Sequence, residues 1–315
     1  MTTQHPPTSL DLARVPWKAV VVFAVLAYAL AWLVQLPTWL TGGIASPLFL
    51  PMTTVMMATP AIAALVVTFF VLQPAHRARF LGLIPFRPAW RSILVILLAP
   101  AVWLALAMAA LLLAQALGWV QLDWAMSGIA SALPAGLDAS AYLVTTLLML
   151  PLAALVSSVP ALGEELGWRG FLQSALSPLG FWRMAMLSGV LWGVWHAPVI
   201  LLGYNFARPD LLGVLSMVAF CLVVGVLLHW LRAVCRNVWV PAVAHGAINA
   251  VTGVTLLFLP QGADALLTTV LGVPGWIVIG LVIAVMAVSG LLSARRLGAL
   301  IPAPRAKPLA PAPVS

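Results

Sequence analysis

Eight runs of roughly twenty mostly apolar residues divide this chain, at approximately 19–38, 49–72, 92–116, 141–162, 184–203, 211–231, 238–259 and 269–292. Each is long enough, as a helix, to cross a hydrocarbon core about 30 Å thick. Composition points the same way: 63% of the residues are hydrophobic and 7% are charged, whereas a soluble fold carries about a quarter charged. The expected fold is therefore all-α, a polytopic membrane helical bundle of about eight transmembrane helices.

The charges between the runs set an expected orientation. Arg14 and Lys18 precede the first run, and Arg77, Arg79, Arg87 and Arg91 separate the second from the third. Arg169 and Arg183 follow the fourth, Arg232 and Arg236 the sixth, and Arg295, Arg296, Arg305 and Lys307 the eighth. The alternate connections hold Asp123, Asp138, Asp210 and Asp264, with Arg208 as their one basic residue. An excess of arginine marks cytoplasmic loops, so both termini are expected in the cytoplasm, with the chain crossing the cell (inner or plasma) membrane several times. The net charge of +8 then reads as a topology signal, and no nucleic-acid partner is expected. Membrane lipids are. Cys221 lies in an apolar run and Cys235 in a basic connection, which suggests neither a disulfide framework nor a metal-type spacing.

Residues 1–18 read as a cytoplasmic N-terminal tail and 293–315 as a Pro/Ala-rich cytoplasmic C-terminal tail, leaving 19–292 as one transmembrane domain. The first run is long for the apolar core of a signal peptide and no small-x-small cleavage site follows it, so it is expected to be retained. No internal repeat is evident.

Chemistry is expected where ionisable residues meet the apolar runs. The chain holds only two glutamates, Glu164 and Glu165, side by side, with Arg169 four residues after the second. On a helix Glu165 and Arg169 share a face and can pair, whereas Glu164 points away. Removing two carboxylates from water costs several kcal/mol each, about that order when unpaired, so a function or a partner must offset the cost. Glu164, left available, is a candidate general base. The plain alternative is that both acids cap and solvate an interfacial helix.

Other polar residues inside the runs sharpen this. His196 follows Trp192 and precedes Pro198, which removes one helical hydrogen bond and favours a kink. Gly189 and Gly193 would let a neighbouring helix approach closely. His245 and Asn249, four apart, share a helix face and can both donate to one small group, as an oxyanion site requires. Each pair could instead be a helix-to-helix polar clamp. His229, beside Trp230, reads as interfacial, and His5 and His76 fall in tail and loop. Together, Glu164, His196, His245 and Asn249 suit water attack on an amide: Glu164 takes the proton, His196 positions the water, and His245 with Asn249 stabilises the oxyanion.

Glu-Glu-x-x-x-Arg, then aromatic-x-x-x-His, then His-x-x-x-Asn, in that order, resembles the family of CAAX prenyl-protease type 2 and bacteriocin-immunity proteins, the CPBP intramembrane glutamic endopeptidases. The resemblance spans roughly 141–259. It implies an eight-helix fold, a cavity within the membrane reached from the cytoplasmic side, metal-independent hydrolysis of a peptide bond near that face by Glu164, His196, His245 and Asn249, and supporting roles for Glu165 and Arg169. The second motif commonly begins with phenylalanine, where this chain has Trp192, taken as a further supporting residue, and a larger ring there could narrow the cavity or alter substrate choice. No cofactor is expected. Two other readings remain open: Glu164, His196 and His245 are ligand types that a catalytic zinc accepts, and the same polar residues could serve a transporter or a silent membrane scaffold. The expected substrate is a membrane-embedded peptide or membrane protein, lipid-modified or not.

Overall fold

The computed structural model describes residues 12, 14–86, 88–130, 133, 138–293 and 296–297. Among them there are helices and turns and no strand. The segments expected to be tails lie largely outside the described residues.

The main helices are α1 (Trp17–Leu40), α2 (Phe49–Met56), α3 (Thr59–Val66), α4 (Ala89–Ala116), α5 (Ala139–Glu165), α6 (Phe181–Trp195), α7 (Leu211–Cys235), α8 (Trp239–Leu256) and α9 (Val273–Val288). Among the described residues six stretches are long and apolar enough to cross a membrane: Trp17–Leu40, Phe49–Leu72, Ala89–Ala116, Ala139–Leu179, Leu211–Cys235 and Ala265–Val288. The polytopic helical bundle is as expected, but two of the eight anticipated spans fall short by that measure. The run at 184–203 is broken: α6 has 15 residues, and the chain turns at His196 before the short helix Ala197–Ile200. The run at 238–259 is α8, 18 residues long, whose His245 and Asn249 dilute its apolar character. Both shortfalls arise from residues expected to do chemistry.

A second difference concerns the segment after the fourth run, expected to be a connection. It is helical, as the Glu165–Arg169 spacing suggests, but it is continuous with α5 and not a separate interfacial piece, widening to i→i+5 hydrogen bonds over Leu166–Leu172 before closing up at Gln173–Leu176. Arg169 is therefore a fully buried residue and not a loop charge. At its other end α5 is capped by Asp138, whose Oδ1 accepts from the Ala141 amide at 2.7 Å. That bond and the Ser140 hydroxyl hold the Asp138 carboxyl below the usual carboxylate range.

The glycine spacing does bring helices together. A Cβ at Gly189 of α6 would lie 3.0 Å from the Leu222 Cα of α7, and one at Gly246 of α8 would lie 2.5 Å from the Ala154 carbonyl of α5. Side chains at such points would force the helices apart.

The two ends of the bundle differ. At the arginine-bearing end the Val238 amide donates to the Gly82 carbonyl at 2.8 Å, and the Trp239 indole to the Leu83 carbonyl at 3.1 Å. At the aspartate-bearing end Arg208 pairs with Asp264, and the Asp123 amide donates to the Phe258 carbonyl. Loops on each side are thus tied to one another.

Candidate active site

Where α5 gives way to its widened turn, Glu164 and Glu165 come to lie inside the protein, 2% and 0% exposed. The ion pair read from the i,i+4 spacing is present: Arg169 Nη1 donates to Glu165 Oε1 at 2.8 Å. The same oxygen accepts from His245 Nδ1 of α8 at 2.9 Å. Glu165 therefore ties the arginine of its own helix to the imidazole of another. A carboxylate removed from water is tolerable when it is shared between donors in this way.

Glu164 has a different neighbour. Its Oε2 accepts from the Trp192 indole N–H at 2.7 Å, while Oε1 has no hydrogen-bond partner among the described residues and is not fully sealed, and the residue lines a cavity. Trp192 does more than fill space. The Arg169 guanidinium sits 4.1 Å from its ring centroid, a cation–π distance, and the His245 ring meets it edge-on at 5.3 Å. Its backbone carbonyl accepts from His196 Nδ1 at 2.8 Å. That bond places the His196 proton on Nδ1 and leaves Nε2 with its lone pair.

A cavity of about 300 Å³ is lined by Glu164, Trp192, His196, His245 and Asn249 together. The four residues expected to be catalytic and the tryptophan expected to support them thus share one space. Glu165 and Arg169 stand behind it. Asn249 is exposed and makes no hydrogen bond within the described residues, so its amide is free to donate. His245 presents Nε2 to the same space, because Nδ1 is taken by Glu165. Among the described residues no three His, Cys, Asp or Glu side chains are placed to hold one metal ion.

The cavity lies on one side of the glutamates. Along the helices its other walls are Thr53 in the first turn and a half of α2, Met217 near the start of α7, Thr252 one turn before the end of α8, and Tyr204, Asn205 and Leu271 in loops. All these positions belong to the aspartate-bearing end. On the other side Trp168, Arg169, Phe171, Leu172, Ala175 and Leu176 are 0% exposed and close the space. The continued helix of 166–176 occupies that side.

Sequence reasoning missed three features. The indole N–H bond to Glu164 has no pattern signature. The link between His245 and Glu165 joins residues eighty apart in sequence. His229, expected at an interface, is fully buried, with Nδ1 on Gln173 Oε1 at 2.8 Å; Gln173, one turn past Arg169, was the available hint.

The chain is thus a polytopic helical membrane protein with a carboxylate and imidazole centre sunk between its helices. Residues 145–251 match the model of one family, described as Rce1-like, Type II CAAX prenyl endopeptidase Rce1-like. The matched stretch, about a third of the chain, contains all seven site residues and falls inside the 141–259 region marked out by the three motifs, so this region is similar to the type II CAAX endopeptidases. An intramembrane protease of the CAAX kind is the function the match supports. No curated protein matches the chain.

Proposed function

We propose that the chain is an intramembrane endopeptidase in which Glu164 activates water for attack on a peptide bond. The observation that carries this reading is the asymmetry of Glu164, with one oxygen fixed by the Trp192 N–H at 2.7 Å and the other not fully sealed, in a residue that lines a cavity shared with His196, His245 and Asn249. A water held between Glu164 Oε1 and His196 Nε2 gives up a proton to the carboxylate as its oxygen bonds to the carbonyl carbon. The oxyanion then receives hydrogen bonds from Asn249 Nδ2 and from His245 when its Nε2 carries a proton. Glu164 returns the proton to the departing amine as the C–N bond breaks, so no covalent intermediate is needed.

Glu165 and Arg169 support the centre from behind, and Trp192 positions the base. The substrate class is a peptide or membrane-protein segment, lipid-modified or not, cleaved within the cell membrane. The arginine distribution supports a cytoplasmic position for both termini. Both imidazoles commit Nδ1 to protein groups and keep Nε2 free, which serves water activation by the carboxylate and would equally serve a zinc ligand, so a chelator separates the two readings.

The test is cleavage of a lipid-modified and an unmodified fluorogenic peptide library by purified protein, with and without a zinc chelator. Glu164→Gln keeps size but removes the base, and turnover is expected to fall about 10²- to 10⁴-fold with the fold intact. His245→Ala and Asn249→Ala are each expected to lower kcat about 10²-fold or more with modest change in KM. Loss of activity on chelation, or full activity in all three variants, overturns the assignment.

A further inference from the structure

We infer that a buried water is held beside Gly225, between Arg169 and His229, and that His229 is thereby a positioning residue for the ion pair behind the base. The water site stands on the packing of the helices; its effect on turnover rests on the protease reading above.

Two helix faces meet behind the centre. One carries Arg169 and, four residues on, Gln173. The other, on α7, carries Gly225 and, four residues on, His229; that spacing places both on one side of the helix. Gln173 closes on His229 twice: its Nε2 donates to the His229 carbonyl at 3.2 Å, and its Oε1 meets His229 Nδ1 at 2.8 Å. The first bond fixes which end of the amide is oxygen, so Nδ1 is the donor in the second and the neutral ring keeps a lone pair on Nε2. That Nε2 is fully buried and without a partner among the described residues. So are Arg169 Nε and Nη2, because the pairing with Glu165 uses Nη1.

A buried donor and a buried acceptor left unpaired each cost stability, and these come together at one place. Arg169 is near enough to His229 to act on the charge of its ring, and a helical side chain leans over the turn before its own, which carries the ring toward Gly225. Nη2 is there too. A Cβ on Gly225 would lie 3.6 Å from Nη2 and 3.9 Å from the Gly189 Cα of α6, with no third neighbour among the described residues within 4 Å outside its own helix backbone. Those are ordinary contact distances. At Gly193, by contrast, an added Cβ would lie 2.4 Å from the Val218 Cα. Gly225 therefore leaves room for one small group beside the unpaired guanidinium nitrogens.

The chemistry of the two sides selects that group. It must accept from the guanidinium and donate to the imidazole lone pair. A halide can only accept, and a metal ion would be repelled by Arg169, whereas water does both; Nε, Nη2 and His229 Nε2 together offer it the two to four polar partners usual for a buried water. Hydrogen bonds then run unbroken from Glu165 through Arg169, the water and His229 to Gln173. Such a line fixes the guanidinium and, through Glu165 Oε1, the His245 imidazole.

The experiment compares Gly225→Ala and Gly225→Ser with the wild-type protein, by thermal melting in detergent and by steady-state kinetics on the fluorogenic peptides. Helix propensity and the room at Gly225 alone would make both variants more stable than wild type, with Ala ahead of Ser. A methyl group in place of the water instead strands Arg169 and His229, while a serine hydroxyl accepts from one and donates to the other. The expected result is that Gly225→Ala melts below both wild type and Gly225→Ser, and that its kcat falls about tenfold with KM nearly unchanged, partly restored in Gly225→Ser. A melting midpoint for Gly225→Ala at or above wild type overturns the proposal, as does one at or above that of Gly225→Ser, which overpacking would give. An unchanged kcat in Gly225→Ala overturns the positioning role. The expected melting order in proteins none of which cleaves a peptide, wild type included, supports the water and removes the protease reading instead.

Discussion

Trp192 holds four groups at once: the Glu164 carboxylate by its N–H, the Arg169 guanidinium on its face, His245 at its edge and His196 through its carbonyl. A phenylalanine at this position could keep the packing but not the hydrogen bond to the base. Trp192→Phe is therefore expected to lower kcat by about tenfold, equivalent to roughly 1.4 kcal/mol, in keeping with one lost charge-assisted hydrogen bond, while KM changes little. Steady-state kinetics on a peptide substrate decides it; an unchanged kcat would make the indole a filler. Glu165 is a different case, since it balances both Arg169 and His245. Glu165→Gln leaves a buried guanidinium without its carboxylate and is expected to cost about 3–5 kcal/mol, visible as a loss of thermal stability in detergent. Arg169→Lys cannot reproduce the planar stack on Trp192 and should also destabilise, by less. The Glu165–Arg169 pair was legible in the sequence because a helix repeats every 3.6 residues. The contacts of Trp192 and His245 were not, because they depend on how helices far apart in sequence are seated.

At the scale of the element, the informative stretch runs from Ala139 to Leu179. An apolar run with a pair of acids at its end reads as a span followed by an interfacial connection, and Pro151 and Pro160 within it give no reason to extend it. What the sequence pattern does not convey is that a buried ion pair and a widened turn carry the helix onward through Leu166–Leu172. Such widened turns often occur where a helix serves a site. The broken α6 was easier, since Pro198 after His196 announces a helix interruption. Helix α8 is held against α5 at Gly246, where an added Cβ would lie 2.5 Å from the Ala154 carbonyl and 2.6 Å from the Ser158 amide. Gly246→Ala is accordingly expected to destabilise by about 1–3 kcal/mol through overpacking and to displace His245, one residue before it. Thermal melting together with turnover checks this: a variant with wild-type values of both would mean that the two helices can separate without consequence.

For the whole molecule, a bundle of apolar helices with distinct arginine-bearing and aspartate-bearing ends was readable from composition and charge order, and the orientation it implies can be tested directly. A fluorescent protein fused after Ser315 is expected to fluoresce, and alkaline phosphatase inserted at Gln261 to be active, if the arginine-bearing loops face the cytoplasm; the reverse pattern would invert the orientation. The layer at 168–176 was not readable, because its burial depends on how the continued helix is seated among the others. That layer has a further consequence. A site that carries out hydrolysis must admit water deep into the bilayer, and a water column spanning it would conduct protons down the membrane potential. With Trp168, Phe171, Leu172 and Leu176 sealed at 0% exposure, the wet space ends part-way, so the cell can keep such a protein in its membrane without short-circuiting the gradient it lives on.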